Sequence, residues 1–501
     1  MNRRQALDAV RAILAGPRAF ESERLEALAK AVRPWTDTEA LAHLEIRGVA
    51  HGSAENSPWS AICGLAKKSQ TNFLPLVLDI FSQSLKVDNY LSSSGQSARV
   101  WEWWQRNKLD ARQTGINRTA LHYGVSYATV LPAMNPEVRE QGTPAAYVRG
   151  VSPRQMTAVY GERLEWDPRV EAPVDDDWPI MALEMNGAMI RFYDEEKVHF
   201  IGVKTVPHSA LGWKEYTYNN TSNFEYIESR SHGVGVCPVV RFEDRNLLDG
   251  EQELRGVVEP LLSIQKRIDE TTFEMLVAQY YTAFMQRYVI GWVPREQREA
   301  LKQAASDVWY FKDQNVKVGQ FQAADLKGYL ESASAAKRDL AAIGQLPPQN
   351  LGIDGISNIS EATLAALEAS KDRKMSEIQT SLGESYEQVL RTCAFIVGDE
   401  EEASDFESEV KWQDMTARTF AQVVDGLGKL AQMLGVPPEV LWEDIPGWTR
   451  SKVERAVAAT ERNSRRATIS GLVEGIRAAA DQARADEQVN ELSSRTTGGN
   501  T

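Results

Sequence analysis

The segment PLLSIQKRIDETTFEMLVAQYYTAF, residues 260–284, decides the reading of this chain. Leu261, Ile264, Ile268, Phe273, Leu276, Tyr280 and Phe284 recur at helical spacing, with Lys266, Arg267, Asp269 and Glu270 among them. A long helix through Leu261 to Phe284, after the Asp249-Gly250 turn, is predicted. Pro260 either starts it, its missing N–H then costing nothing, or kinks it. Residues 285–325 follow, with strand-like pieces at Val289-Ile290-Gly291-Trp292, Val308-Trp309-Tyr310-Phe311 and Val316-Lys317-Val318, a break at Pro294 and a short helix from Glu296 to Ala305. A second helix over 326–345 leads out. Two helices, read as antiparallel, therefore carry a compact α/β insertion at the end of a stalk.

Downstream, Leu346-Pro347-Pro348-Gln349-Asn350-Leu351-Gly352 must stop the second helix, and the stretch to Ser357 reads as a loop. Asn358 followed by Glu361 has the form of a capping box, which starts a helix over 360–398. Met375, Ile378, Leu382, Tyr386, Val389, Cys393 and Ile396 give that helix a heptad-like apolar face. Glu368 to Lys374 offers almost none, so that part is solvated or lies along a polar cavity. The acidic run over 399–409 reads as a solvated loop. A strand at Val410-Lys411-Trp412 and helices at Phe420 to Leu434 and Ser451 to about Ala480 complete a C-terminal part over 410–480, and the polar tail over 481–501 is expected to be disordered.

Upstream, residues 1–60 are helical, with Leu25, Leu28 and Val32 ahead of a Pro34 break and Thr38, Ala40, Leu41 and Leu44 starting a further short helix. Trp101, Trp103 and Trp104 read as core, before a helix ending near Tyr123-Gly124 and a strand over 125–130. From about 147 to 245 the apolar residues alternate (Met181, Leu183, Met185; Ile190, Phe192; Val198, Phe200), with turns at Asn186-Gly187 and Asp194-Glu195-Glu196. The class is α+β, mainly helical.

Composition narrows the functions. The 501 residues carry 56 Lys plus Arg against 70 Asp plus Glu, a formal net charge of −14 that disfavours a broadly basic nucleic-acid grip. Cys63, Cys237 and Cys393 lie far apart, which excludes a disulfide framework and fits a reducing compartment. Gly426-Leu427-Gly428-Lys429-Leu430 lacks the hydroxyl of a phosphate-binding loop. The six histidines (His43, His51, His122, His199, His208, His232) show no pairing at ligand spacing and read as surface or satisfied core residues. Gly233-Val234-Gly235 beside Cys237 reads as a turn into a strand. Neither a secretion signal nor a membrane span is expected, and no catalytic constellation, metal site or cofactor is.

The order of segments resembles the portal proteins of tailed bacteriophages, in particular the family from long-tailed phages of Gram-positive hosts. The resemblance covers nearly the whole chain. It is carried by Asp88-Asn89-Tyr90 ahead of Trp104-Gln105-Arg106-Asn107-Lys108-Leu109-Asp110, by Ala120-Leu121-His122-Tyr123-Gly124-Val125-Ser126-Tyr127, and by Ser152-Pro153 ahead of Tyr160. Gly235-Val236-Cys237-Pro238-Val239-Val240-Arg241-Phe242, Leu346-Pro347-Pro348 and Ser357-Asn358-Ile359-Ser360-Glu361-Ala362 continue it, and in this order the motifs are specific.

The resemblance implies a ring, usually of twelve copies, at one vertex of a viral head, through which duplex DNA is packaged and later ejected. It implies a wing (60–248), two stem helices (252–284 and 326–345), a clip (285–325), a tunnel loop (346–359), a long channel or wing helix (360–398) and a helical crown toward the C-terminus. Gln349, Asn350, Ile353, Asp354, Ser357 and Asn358 would then face the channel. Trp292, Trp309, Tyr310 and Phe311 would dock partners at the clip, aromatics being enriched in binding hot spots. Leu261, Ile264, Ile268, Phe273, Leu276 and Tyr280 would pack the stem. The implied partners are further copies of the chain, double-stranded DNA held non-specifically and transiently, the terminase large subunit, a head-tail adaptor protein, the major capsid protein and a scaffold protein, in the virion after assembly in host cytoplasm.

Two rival readings come from other classes. One is a phage head protein without a channel. The other is a metal-dependent nucleic-acid enzyme using Asp175, Asp176 and Asp177, disfavoured because consecutive residues point different ways and the run reads as a turn.

Overall fold

The computed structural model describes residues 1–43, 64–93, 97–133, 146–161, 178–205, 220–245, 256–283, 287–291, 316–320, 325–353, 361–413, 420–442 and part of 445–484. Helix α1 (Arg3–Ala15) opens on a capping box, in which the Asn2 side chain accepts from Gln5 N–H and the Gln5 side chain from Asn2 N–H. Pro17 starts α2 (Pro17–Ala31), where its missing N–H costs nothing, and α3 (Asp37–His43) follows the Pro34 break. Next come α4 (Leu74–Gln83), β1 (Val87–Leu91), α5 (Ser97–Arg106) and α6 (Leu109–Tyr123). Helix α6 ends where the sequence predicts, because Gly124 turns left-handed at φ 88°.

Two antiparallel sheets follow. The three-stranded sheet has the order β3-β2-β9, from β2 (Val125–Pro132), β3 (Ala146–Val151) and β9 (Val239–Glu243). The other is a meander of β4 (Met156–Val159), β5 (Met181–Asn186), β6 (Met189–Tyr193), β7 (Lys197–Val203) and β8 (Phe224–Ser231). The alternation explains its two faces. Leu183, Ile190, Phe192 and Ile201 pack on Ala6, Val10, Ile13 and Leu14 of α1. Ala182, Tyr193 and Val198 pack on Val125, Tyr127 and Val239 of the three-stranded sheet. Both faces therefore carry apolar residues, and Glu184 and Arg191, cross-strand neighbours on β5 and β6, pair with each other at 3.3 Å.

The second half contains α7 (Leu262–Ala283), β10 (Arg287–Ile290), β11 (Lys317–Gln320), α8 (Lys327–Gly344), α9 (Glu361–Val397), a short α10 (Glu400–Ala403) and β12 (Glu409–Trp412). Helix α9 runs through the largest core, burying Met375, Ile378, Leu382, Tyr386, Val389 and Cys393 on the predicted face. Tyr386 donates to Asn117 at 2.7 Å and meets Trp104 at 5.3 Å between ring centroids. Trp104 is fully buried, stacks on Trp101 at 5.2 Å and donates to Asp110, so the tryptophan cluster is core.

The acidic run is not a solvated loop. Part of it is α10, and Glu402 and Asp405 are buried, accepting hydrogen bonds from the Ser92 hydroxyl and, for Asp405, from Ser93 N–H and Oγ. Beyond it β12 pairs antiparallel with β1, closing the chain on itself. The physical reason for the correction is a serine-rich turn more than 300 residues away in sequence, whose donors make burial of these carboxylates affordable.

The chain forms two compact units, Met1–Gln413 and Asp414–Thr501. The second contains α11 (Phe420–Leu434), with the predicted bounds, and α12 (Pro438–Leu441). Of the tail over 481–501 expected to be disordered, Asp481, Gln482 and Arg484 are helical instead, and residues 485–501 lie outside the described residues, as do Asp175, Asp176 and Asp177.

Candidate functional site

Pro260 starts the first long helix and does not kink it. It lies in a one-turn 3-10 segment, Glu259–Leu261, that leads into α7, so the helix begins some ten residues later than the predicted 252. Helices α7 and α8 run antiparallel. Leu261 lies against Gly344, Arg267 pairs with Asp339, and beyond the helices β10 pairs antiparallel with β11 from Arg287↔Gln320 to Ile290↔Lys317. Among the described residues the two antiparallel helices thus flank a β-pair.

The apolar residues of α7 grade outward. Leu261, Ile264 and Ile268 join the main core with Ala336, Leu340 and Ala341 of α8. Phe273 packs beside Trp35, Ala40 and Ala66, while Leu276 and Tyr280 are half-buried. Farther along, Tyr281, Tyr288, Ile290, Val318 and Leu330 are exposed. The base is also pinned by polar side chains that periodicity gives no reason to select. Asp269 accepts from Thr71 N–H at 2.9 Å, and Gln265 accepts from Phe73 N–H and donates to the Thr71 carbonyl. Both are buried, and each ties α7 to the segment ahead of α4.

In the strand pair Tyr288 faces Gly319, and its ring lies where a Cβ at 319 would stand. A larger residue at 319 would displace that ring, which is itself exposed. Trp292, Trp309, Tyr310 and Phe311 lie outside the described residues, as do the helix expected over 296–305 and Phe284.

At its other end α8 terminates on Gln345, left-handed at φ 56°, with Leu346 N–H returning to the Ala341 carbonyl. A 3-10 turn, Pro348–Leu351, follows and ends on Gly352 at φ 65°. Leu346 and Leu351 are buried, Ile353 packs at the edge of the core, and Asn350 is exposed. Gln349 is half-buried, its Oε1 without a hydrogen-bond partner among the described residues. Asp354, Ser357, Asn358 and the expected capping box lie outside them.

A charged junction sits where this turn meets the body. Lys374 of α9 donates to the Gly344 carbonyl at 3.4 Å and lies 5.0 Å over the Phe81 ring. Burial lowers its pKa to about 8. Asp244, just past β9, is 1% exposed, and burial pushes its carboxyl up to about 7 although Arg245 pulls the other way. The polar stretch 368–374 thus ends on a lysine with a definite partner.

A cleft of about 860 Å³ lies between β9, the 234–236 turn and α9. Arg241, Glu243, Glu384 and Arg391 line it with Phe395 and Phe406, with Arg241 4.0 Å over the Tyr160 ring. Groups with catalytic potential are sealed elsewhere. His199 is fully buried with both ring nitrogens engaged, by Asp194 at 3.0 Å and Tyr226 at 2.9 Å. Burial pushes Cys393 up to about 12 and Cys237 further. His122 and His232 bond backbone carbonyls, as satisfied core histidines do. Among the described residues no group of three His, Cys, Asp or Glu could hold a metal ion, and no helix is long and apolar enough to cross a membrane.

Residues 65–466 match the family model described as phage portal protein, SPP1 Gp6-like. The chain belongs to this phage portal protein family. It is 24% identical over 369 residues to the portal protein of Mycobacterium phage D29, covering 71% of each chain. It is also 24% identical over 375 residues to the portal protein of Mycobacterium phage L5, again covering 71% of each. Among solved structures, a chain of the virion of a native gene transfer agent (GTA) particle aligns at 12% identity and a TM-score of 0.46, over 80% of this chain and 100% of that one. The portal family match spans both sheets, the helix pair, the turn after it and α9, whereas α1 to α3 precede it.

Proposed function

We propose that this portal family member assembles as a ring, of twelve copies by likeness to the family, at one capsid vertex, and that double-stranded DNA passes through its centre during packaging and ejection. The observation that carries this reading is the family match over 65–466, which takes in the helix pair, the β-pair and the turn together. Helices α7 and α8 are then the stem, residues 285–325 the clip, 346–359 the tunnel loop, the body over 60–248 the wing, and the C-terminal helices the crown. The terminase large subunit and later the head-tail adaptor dock at the clip, through Trp292, Trp309, Tyr310 and Phe311. The major capsid protein and a scaffold protein meet the body.

The charge balance fits a conduit. Duplex DNA carries one charge per roughly 1.7 Å of axis, so a channel rich in Lys and Arg would hold the passing phosphates and stall them. A chain of net charge −14 avoids that. Gln349, Asn350, Asp354, Ser357 and Asn358 touch the DNA backbone weakly and reversibly, without base readout, which suits passage of any sequence, and Ile353 belongs to the same channel-facing loop. The role is mechanical, no reaction is assigned to the chain, and its place is the virion after assembly in host cytoplasm.

Negative-stain images of the purified chain, with mass determination of the particle, test the reading. Rings with a central hole are expected. A compact single copy under every assembly condition, or magnesium-dependent DNA cleavage, would overturn it.

A further inference from the structure

We infer that Lys374 is the positioning residue of the turn after α8: it holds the end of that helix through the Gly344 carbonyl, and the free oxygen of Asp244 is a second acceptor to which it transfers when that end shifts. The consequence for DNA rests on the channel reading, but the junction stands on its own geometry.

Two serines set the register of α9 on β9. Ser385 Oγ donates to the Arg241 carbonyl at 2.8 Å and Ser381 Oγ to the Glu243 carbonyl at 3.0 Å. Each turn toward the start of α9 therefore advances along the strand, and two turns before Ser381 bring Lys374 beside the residues that follow Glu243. Asp244 and Arg245 stand there, near enough that Asp244 raises the proton affinity of Lys374 and Lys374 lowers that of Asp244.

The ammonium is held loosely. Its bond to Gly344 is 3.4 Å long, made to a carbonyl in the last turn of α8, where a cation is favoured. The Phe81 ring forms the floor below it. Asp244 supplies the alternative. Its Oδ2 takes the Arg245 guanidinium at 3.1 Å, but Oδ1 is buried and has no hydrogen-bond partner among the described residues. A buried carboxylate oxygen left unpaired is costly, so it attracts whichever donor comes within reach. Of the charges acting on Asp244, Arg245 is already committed to Oδ2, Glu243 brings only negative charge, and Lys374 of α9 is the other cation.

Gly344 and Lys374 flank the turn, so their bond closes a loop of thirty residues. When the end of α8 moves, the ammonium does not have to be stranded over Phe81; it passes to Oδ1. Two acceptors in one junction give the turn two supported positions.

Hydrogen exchange by mass spectrometry on the full chain, comparing peptides over 345–353 with a core control over 382–393, tests this. Lys374→Met is expected to speed exchange in 345–353 by about tenfold with the control unchanged, and Lys374→Arg to stay within about threefold of the parent. Asp244→Asn is expected to slow it severalfold, because the second position loses its charged acceptor, and to have no further effect in the Lys374→Met background. If Lys374→Met proves poorly folded, Lys374→Gln, an uncharged donor, should give an intermediate rate. Unchanged exchange in the Lys374 variants would overturn the proposal, as would Asp244→Asn speeding exchange, leaving it unaltered or acting equally without Lys374. The comparison is read in whatever assembly the chain adopts, so absence of rings would sink the channel reading and leave this result standing.

Discussion

Arg24 grips Glu259 through two guanidinium nitrogens, Nε at 3.1 Å from both carboxylate oxygens and Nη2 at 2.7 Å from one, while Nη2 also donates to the Tyr123 carbonyl. Helix α2, the end of α6 and the turn that opens α7 are thereby joined at one side chain. Both partners are about a quarter exposed, so solvent screens the pair only in part. Arg24→Ala is expected to cost about 1–3 kcal/mol, since it strands a half-buried carboxylate and frees a carbonyl. Arg24→Lys should recover little, because an ammonium cannot make the forked contact. Urea midpoints of the variants check this.

Gly256 lies flat against the end of α6, with Val257 N–H bonded to the Leu121 carbonyl at 2.8 Å. A Cβ at 256 would stand 2.2 Å from that same carbonyl oxygen and 2.8 Å from backbone atoms of His122. Backbone cannot swing aside as a side-chain tip can. Gly256→Ala is expected to destabilise the chain by about 3 kcal/mol or more by prising the start of α7 off α6. Its urea midpoint should fall well below that of Gly328→Ala, a control position with nothing within 4 Å of the new methyl.

Titration of the junction has a definite sign. Asp244 carries a folded pKa of about 7 against an ordinary 3.8, so the folded state holds its proton more tightly and the stability it contributes is lost as pH rises from about 4 to 7. Lys374 carries a folded pKa of about 8 against 10.5, so the unfolded state binds more protons between those values and stability rises with pH there. Their joint contribution is smallest between pH 7 and 8. Relative to the parent, Asp244→Asn should remove a fall in stability from pH 4 to 7 and Lys374→Met a rise from pH 8 to 10, measured as differences in urea midpoint across pH 4 to 10. A parent-minus-variant difference that does not change with pH contradicts the assignment of that residue.

Much of this architecture was legible because it rests on local pattern. The spacing of Leu261, Ile264 and Ile268, the break at Pro347-Pro348, the turn at Asn186-Gly187 and the apolar face from Met375 to Cys393 are each written in a few consecutive residues. What sequence did not show depends on partners brought together by folding. Glu402 and Asp405 look like surface charge until Ser92 and Ser93 arrive from the other end of the chain, and Asp269 and Gln265 look like the polar face of α7 until Thr71 and Phe73 dock on them. Lys374 had the same disguise, as one more charge in a polar stretch. Of the residues expected to face the channel, Gln349, Asn350 and Ile353 stand in the turn after α8, between buried Leu346 and the start of α9.

Deleting residues 350–356 separates that turn from the scaffold beneath it. The core residues Leu340, Ala341 and Leu346 on one side and Ile378 and Leu382 on the other lie outside the deletion, whereas among its described residues Leu351 is buried in the core and Ile353 packs at its edge. Loss of one buried leucine costs about 2–5 kcal/mol, which a chain of this size tolerates when the rest of its core is intact. Rings are therefore expected to form, while DNA packaging or retention falls because the proposed contact with the duplex is gone. Particle counts from negative stain and packaged DNA per particle measure the two effects separately. Normal packaging in the deletion variant would place the DNA contact elsewhere on the ring, and loss of rings would make the turn part of the assembly surface.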